Sequence, residues 1–169
     1  AVINNPDGIL LANEKLFGQK IAPQYFPPTI VASARDVLMS FIAEHERVVL
    51  KPLLQSGGAG VLVFERGDRN ILSALDLLTQ SFTMPIKAQS YIKNARAGDK
   101  RVIVVGGKPI GAITRIPSDK DHRANCHVGG VAHGAVIDDR DREIVNTLKP
   151  YLIKYGLHVV GIDIIGGYL

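Results

Sequence analysis

Two pairs of short β-branched runs, each joined by a turn that contains glycine, restrict the fold of this 169-residue chain more than any other feature. The first turn joins residues 48–52 to residues 61–64, and the second joins residues 101–105 to residues 110–116. Runs joined in this way predict β-hairpins, whose paired strands are antiparallel. The chain is therefore expected to build its sheets from antiparallel neighbours.

Helical patterns lie before, between and after these hairpins. Apolar residues recur at helical spacing in residues 34–46, 71–82 and 138–155, and the last of these segments begins with an acidic turn. Residues 85–91 and 157–165 have the composition of strands. Hairpins combined with helices predict an α+β protein rather than a doubly wound parallel sheet.

Proline and polar residues set the expectations for the remaining segments. Residues 2–8 are expected to be extended, because Asn5 precedes a proline and such a residue avoids the helical region. Residues 9–17 have a helical pattern. Residues 117–134 are polar and predict a functional loop.

The composition argues against several classes of protein. Hydrophobic residues make up 46% of the chain and charged residues 21%, which is the balance of a soluble globular protein. The net charge of +4 is scattered without a basic tract, so a nucleic-acid partner is not expected. No apolar run reaches the length of a membrane span, and the single cysteine, Cys126, fits a reducing compartment.

The turn between residues 52 and 61 is the first candidate site. Gly57 and Gly58 give it backbone N–H groups that a phosphate oxygen can approach closely. Lys51, at the end of the preceding strand, is placed to reach the same phosphate as a point charge. The turn is not a P-loop, because no Gly-Lys-Ser/Thr follows it, and taken alone it is more simply a flexible connection.

Four more positions indicate a nucleotide-binding site only when they are considered together. Gln89, Tyr91 and Ile92 lie at the end of a predicted strand, where extended backbone can present one N–H and one C=O to an adenine edge. An ordinary strand end has the same sequence pattern. Lys15 is placed to supply a further phosphate contact, although alone it is a solvated lysine.

Three charged residues lie on predicted strands in the second half of the chain. Arg101 and Arg115 lie on opposite strands of the second hairpin, so they either face one cleft or remain two separate surface charges. Asp163 lies within an apolar strand, where an unpaired carboxylate is costly to bury. A magnesium ion and a salt bridge would each supply the missing partner.

One short segment is rich in potential metal ligands. It contains His122, Cys126, His127 and His133, but their spacing matches no zinc-binding pattern. Solvated histidines are the better interpretation of this segment.

Several short motifs, taken in order, resemble those of the prokaryotic glutathione synthetases, a family of ATP-grasp ligases. The matching motifs are Asn5-Pro6, Asn13-Glu14-Lys15-Leu16, Leu50-Lys51-Pro52, Gly57-Gly58-Ala59-Gly60-Val61, Gly98-Asp99-Lys100-Arg101, Gly111-Ala112-Ile113-Thr114-Arg115-Ile116-Pro117, Gly129-Gly130 and Val160-Gly161-Ile162-Asp163-Ile164-Ile165-Gly166. Each motif is weak alone, but the series runs along nearly the whole chain in the family's order.

The resemblance implies both a fold and an activity. The fold would be the ATP-grasp fold, in which two α+β lobes with antiparallel sheets grip ATP. Residues 1–28 would be the leading segment, residues 29–92 the small lobe with the glycine turn, and residues 93–169 an incomplete large lobe. The activity would be ligation of glycine to γ-glutamylcysteine through an acyl phosphate, with ATP and Mg2+ (or Mn2+) as cofactors, in a cytoplasmic homo-oligomer.

The resemblance also implies roles for single residues. ATP would be bound by Lys15, Lys51, Gly57, Gly58, Gln89, Tyr91, Ile92 and Asp99. Arg101 would bind the peptide substrate, Arg115 and Asn125 would lie beside the acyl phosphate, and Asp163 would bind the metal ion.

The chain departs from the family pattern at several places, which leaves alternatives open. The family has a domain before Asn5-Pro6 and a Glu-x-Asn pair after the end of this sequence, so the isolated chain is expected to bind ATP weakly and not to turn over. Residues 123–128 replace a more usual Arg-Gly-Asn-Leu-Ala pattern. The alternatives are another ATP-grasp ligase that acts on a peptide or amino acid, and a non-catalytic ATP-binding fragment.

Overall fold

The computed structural model describes residues 2–12, 15–55, 57–117 and 131–169. These residues contain five α-helices, which are α1 (Pro6–Ala12), α2 (Phe17–Ile21), α3 (Arg35–Glu44), α4 (Ile71–Leu78) and α5 (Asp139–Lys154). They also contain eight strands, which are β1 (Thr29–Ala32), β2 (Arg47–Pro52), β3 (Leu62–Glu65), β4 (Ile86–Ser90), β5 (Asp99–Val105), β6 (Lys108–Ile116), β7 (Val131–Ala135) and β8 (Val159–Ile164). Short 3-10 turns follow α2 and precede β5.

Residues 27–91 form one compact unit around a four-stranded sheet. Its strand order is β1-β4-β2-β3, and every pair of neighbours is antiparallel. Helices α3 and α4 bury Leu38 and Leu75 in the same apolar cluster as Leu50 and Ile86 of the sheet. One face of the sheet therefore belongs to the core, and the other is left for polar side chains.

Residues 1–26 and 92–169 form a second compact unit around another antiparallel sheet. Its strand order is β7-β6-β5-β8. Helix α5 packs Ile144 and Val145 into one core cluster with Val102 and Val104 of β5, and all four residues are fully buried. This sheet also keeps one face for polar side chains.

The predicted α+β class and both predicted hairpins are confirmed. Strands β2 and β3 pair from Arg47↔Glu65 to Leu50↔Leu62. Strands β5 and β6 pair from Asp99↔Arg115 onward, with one irregularity after Ile103. The division into residues 1–28, 29–92 and 93–169 remains a prediction. The two compact units are divided differently, because residues 1–26 are grouped with residues 92–169.

The prediction that residues 2–8 are extended is wrong, because α1 begins at Pro6. The side-chain oxygen of Asn5 accepts hydrogen bonds from the N–H groups of Asp7 at 2.8 Å and Gly8 at 3.4 Å. Asn5 thus caps the helix, a role that requires the non-helical backbone that proline imposes on it. Proline itself is favoured at the first helical position.

Three other boundaries differ from the sequence-based expectation. Strand β1 was not predicted, and β7 begins within residues 117–134, which were expected to be a loop. Helix α4 ends at Leu78, before the predicted residue 82, because Gln80, Ser81 and Phe82 have positive φ angles of 49°, 58° and 63°. The side-chain oxygen of Thr79 accepts the N–H of Phe82 at 2.8 Å and so stabilises this turn.

Candidate functional site

The polar face of the second sheet carries the first cluster of candidate residues. Side chains alternate along β5, so Val102 and Val104 enter the core while Asp99 and Arg101 project from the opposite face. The antiparallel register places Arg115 of β6 directly opposite Asp99. It also places Asp163 of β8 directly opposite Arg101.

These four side chains form one network of ion pairs. Arg101 donates from Nε and Nη2 to the two carboxylate oxygens of Asp163, both at 2.7 Å. Arg115 donates in the same two-pronged way to Asp99, both at 2.6 Å. The Nη2 atom of Arg115 also lies 2.9 Å from Oδ1 of Asp163, which joins the two pairs.

Burial divides the network into a fixed part and an accessible part. The side chains of Arg115 and Asp99 are 5% and 12% exposed, whereas those of Arg101 and Asp163 are 39% and 40% exposed. Burial lowers the pKa of Arg115, but the hydrogen bonds and charges of Asp99 and Asp163 outweigh it and raise the pKa above its usual value. The hydrogen bonds from Arg101 to Asp163 likewise raise the pKa of Arg101. Both guanidinium groups therefore stay cationic.

Gly98 allows β5 to start close to the backbone of Arg115. It has a φ angle of 107°, and a Cβ atom at this position would lie 2.5 Å from the backbone oxygen of Arg115. A larger residue would therefore push the two strands apart at the buried arginine.

The polar face of the first sheet carries the second cluster. Lys51 of β2 donates from Nζ to Oε1 of Gln89 on β4 at 2.8 Å. Gln89 in turn donates from Nε2 to Oγ1 of Thr29 on β1 at 2.9 Å. Gln89 is 4% exposed, so these two bonds hold its amide in one orientation inside the unit.

The turn between β2 and β3 follows Lys51 closely. Gly57 and Gly58 have positive φ angles of 65° and 79°, and the N–H of Val61 donates to the oxygen of Gly58 at 3.3 Å. A Cβ atom on Gly57 would meet nothing within 4 Å. The turn therefore exposes backbone that a phosphate group can approach.

The remaining candidates fall in both units. The ring of Tyr91 lies under the guanidinium of Arg47, 4.7 Å from its Cζ atom, and the N–H of Tyr91 donates to the backbone oxygen of Arg47 at 2.9 Å. Ile92 belongs to the second unit, and a Cβ atom on Gly166 would lie 2.9 Å from its Cγ2 atom. Lys15 also lies in the second unit, in the turn before α2.

Part of the predicted site lies outside the described residues. Asn125 is in this group, as are His122, Cys126 and His127. His133 is exposed on β7. Among the residues that the structure describes, no three His, Cys, Asp or Glu side chains come together as a metal-binding group.

Sequence reasoning missed two members of the second cluster. Thr29 orients Gln89, but β1 itself was not predicted. Lys87 lies on the same face of β4 as Gln89, and the predicted alternation of residues 85–91 contained the signal for this.

Comparison with known proteins gives a family match over most of the chain. The model of the prokaryotic glutathione synthetase ATP-grasp domain matches residues 14–169. A glutathione synthetase from Thermosynechococcus vestitus is 42% identical over 168 residues, which are 99% of this chain and 52% of that protein. Those from Synechocystis sp. and Brucella melitensis are 44% and 41% identical over 99% of this chain, and 52% and 54% of those proteins are covered. The chain thus spans about half the length of the curated relatives it matches.

Solved structures support the fold. The D-cycloserine synthetase DcsG superimposes with a TM-score of 0.71 at 19% identity, over 95% of this chain and 60% of that one. D-alanine–D-alanine ligase from Bacillus anthracis, in complex with ATP, gives a TM-score of 0.65 at 13% identity, over 97% of this chain and 54% of that one. The predicted ATP-grasp fold is therefore confirmed. Within the described ranges, none of the helices is long and apolar enough to span a bilayer.

Proposed function

The chain belongs to the prokaryotic glutathione synthetase ATP-grasp family, and we propose that the whole protein of which it is part is a glutathione synthetase. It would join glycine to γ-glutamylcysteine while ATP is cleaved to ADP and phosphate. The observation that supports this proposal most directly is the network of Arg101, Asp163 and Arg115 on one face of a sheet. Such a network suits the binding of a carboxylate and a phosphate side by side.

The first unit would bind the nucleotide. Lys51 and the turn at Gly57 and Gly58 would contact the phosphates, because Lys51 supplies a cationic point charge and glycine places no side chain between the backbone and a phosphate. Gln89 and Tyr91, with Ile92 directly after them in the chain, would frame the adenine. From the family resemblance, Lys15 and Asp99, which belong to the second unit, would also bind ATP.

The second unit would bind the groups that react. Arg101 would hold the peptide substrate through its carboxylate, and Arg115 would hold the transferred phosphoryl group together with Asn125. A carboxylate oxygen of γ-glutamylcysteine attacks the γ-phosphorus and ADP leaves, which gives an acyl phosphate. The glycine amine then attacks the acyl carbon, loses a proton, and phosphate leaves as the amide bond forms.

Among the described residues, the candidate site consists of cations and carboxylates, and the proposed reaction uses no protein nucleophile. Phosphoryl transfer depends mainly on positioning and charge neutralisation. Arg115 is suited to both tasks, because its position is fixed by two ion pairs and its raised pKa keeps it charged. It would stabilise the charge on the equatorial oxygens without moving.

Asp163 fits a role as a magnesium ligand. In nucleotide sites Mg2+ is bound by one or two carboxylates together with phosphate oxygens and water. Asp163 supplies one carboxylate that is 40% exposed, on the same face as Arg115. When bound there, Mg2+ or Mn2+ would neutralise phosphate charge, while the arginines would release part of their hold on Asp163.

We also propose, from the family resemblance, that the whole protein acts as a homo-oligomer in the cytoplasm. Its substrates would be γ-glutamylcysteine and glycine.

The proposal is tested by measuring ADP release from the purified full-length protein with MgATP. ADP is expected only when γ-glutamylcysteine and glycine are both present, and the product should have the mass of glutathione. A parallel panel should replace glycine with other amino acids and γ-glutamylcysteine with other peptides. ADP release with another pair, but not with this one, would identify a different ATP-grasp ligase and refute the proposal.

A further inference from the structure

The four charged side chains of the network on the second sheet have no net formal charge. Arg101 and Arg115 contribute two positive charges, and Asp99 and Asp163 contribute two negative ones. On the described strands, the positions next to them on this face are uncharged, and they are Ile103, Ile113, Ala132 and Gly161. An anionic ligand that approaches the network therefore meets balanced charges rather than a positive patch.

Arg101 is the accessible cation of this network. A guanidinium has five N–H donors, and Asp163 accepts from two of them, at Nε and Nη2 of Arg101. The Nη1 edge of the same guanidinium is not used by Asp163, so a substrate carboxylate can approach it there. That carboxylate would then share one guanidinium with the carboxylate of Asp163, and the two like charges would repel each other.

Asp163 is the accessible anion of the network. Its side chain is 40% exposed, and its Oδ1 atom lies 2.9 Å from Nη2 of Arg115. Arg115 is itself fixed by Asp99 and is only 5% exposed. A divalent cation that binds Asp163 would neutralise its charge, while Arg115 would still hold the carboxylate in place. The network would then have a surplus of positive charge, and Arg101 would bind an anion more strongly.

We propose that Asp163 couples the binding of the divalent cation to the binding of the anionic substrate at Arg101. The inference rests on the proposed function, which supplies both ligands, the Mg2+ or Mn2+ ion and γ-glutamylcysteine. Without the cation, the charge of Asp163 weakens the attraction of Arg101 for the substrate carboxylate. With the cation, that opposition is removed. Because such coupling is reciprocal, the dipeptide must tighten cation binding by the same factor.

The main test is calorimetric titration of the full-length protein with γ-glutamylcysteine in the presence of ADP, with either Mg2+ or a chelator. Wild type should bind the dipeptide on the order of 10-fold more tightly with Mg2+. Asp163→Asn removes the charge and keeps the size of the side chain. With the chelator present, it should bind the dipeptide about 10-fold more tightly than wild type, because no like charge remains beside Arg101.

Two controls isolate the pair of Asp163 and Arg101. Asp139→Asn removes an exposed negative charge from α5, which packs on the opposite, apolar face of the sheet, and it should bind the dipeptide like wild type in both conditions. In a protein that already carries Arg101→Met, adding Asp163→Asn should bring no gain in affinity.

A second measurement needs only the wild-type protein. Electron paramagnetic resonance of free Mn2+ gives the dissociation constant of the ion in the presence of ADP. Saturating γ-glutamylcysteine should lower this constant by the same factor by which Mn2+ tightens binding of the dipeptide. This measurement decides the question if Asp163→Asn does not fold, and an unchanged constant would overturn the inference.

The outcomes separate this inference from the proposed function. A wild-type protein that binds no γ-glutamylcysteine with MgADP would overturn the proposed function and the inference with it. If wild type binds the dipeptide but Asp163→Asn binds it equally or more weakly with the chelator, Asp163 only orients Arg101 or binds the metal ion, and the coupling is refuted. A gain that persists in the Arg101→Met protein would refute it as well.

Discussion

Arg115 is the residue on which both the stability and the chemistry of the second unit depend. Its side chain is almost fully buried and makes ion pairs with Asp99 and Asp163. Replacing it by methionine leaves the carboxylate of Asp99, which is 12% exposed, without its cation. Because an unpaired buried charge is costly, Arg115→Met should lower the free energy of unfolding by about 3 to 5 kcal/mol, measured by urea denaturation.

The control for this change is Arg142→Met on α5. Arg142 is exposed and lies in the same unit, so its loss should change the free energy of unfolding by about 0.5 kcal/mol or less. Equal effects of the two substitutions would show that the network around Arg115 does not stabilise the unit.

At the residue scale, sequence reasoning singled out candidate residues but not the contacts that they make with one another. Arg101, Arg115 and Asp163 were singled out by residue type and position, and the hairpin pattern allowed the two arginines to share a face. The sequence did not show that Asp163 pairs with both arginines. Strand β8 lies far along the chain from β5, and only the folded structure brings the two strands together. For the same reason, the sequence did not predict that Thr29 lies beside Gln89, or that Lys51 and Lys87 are directly opposite each other on neighbouring strands.

At the scale of elements, the start of α5 offers a separate test. Oδ1 of Asp138 accepts the N–H of Asp141 at 2.9 Å, and Oδ2 of Asp141 accepts the N–H of Asp138 at 3.0 Å. Nζ of Lys100 donates to both carboxylates at 2.7 Å. Asp138→Ala should lower the free energy of unfolding by about 1 kcal/mol, as for other helix caps, whereas the neighbouring Asp139→Ala should have a smaller effect.

The effect of Asp138→Ala should also depend on pH. The hydrogen bond from Lys100 lowers the pKa of Asp138 below its usual 3.8, so the carboxylate stabilises the folded state fully above about pH 4. That contribution is lost as the pH falls through the lowered pKa. Urea denaturation at pH 7, 5 and 3 should show the difference between wild type and Asp138→Ala shrinking at pH 3, and a difference that grows there would contradict the assignment.

Local sequence signals predicted some elements and missed others for identifiable reasons. Helices α3 and α5 were predicted because apolar residues recur at helical spacing over long segments. Both hairpins were predicted because a turn that contains glycine joins two β-branched runs. Strand β7 has exposed residues and no apolar alternation, so only its pairing with β6 makes it a strand. Strand β1 has only four residues and follows a run of prolines, so it is too short to show the alternation of apolar and polar residues that indicates a strand.

At the scale of the whole molecule, each unit has its own apolar core and its own polar sheet face. The first face holds Lys51, Lys87 and Gln89, and the second holds Arg115, Arg101 and Asp163. In the proposed function, the two faces belong to a ligase that activates a carboxylate by phosphorylation. Binding of a nucleotide alone would not distinguish such a ligase from a simple ATPase.

The most direct test follows the oxygen atoms of the substrate. The full-length protein should be incubated with MgATP, glycine and γ-glutamylcysteine labelled with oxygen-18 in the cysteinyl carboxylate, and the released phosphate analysed by mass spectrometry. Formation of an acyl phosphate predicts that one labelled oxygen moves from the carboxylate to phosphate in each turnover. Product formation with unlabelled phosphate would contradict the account.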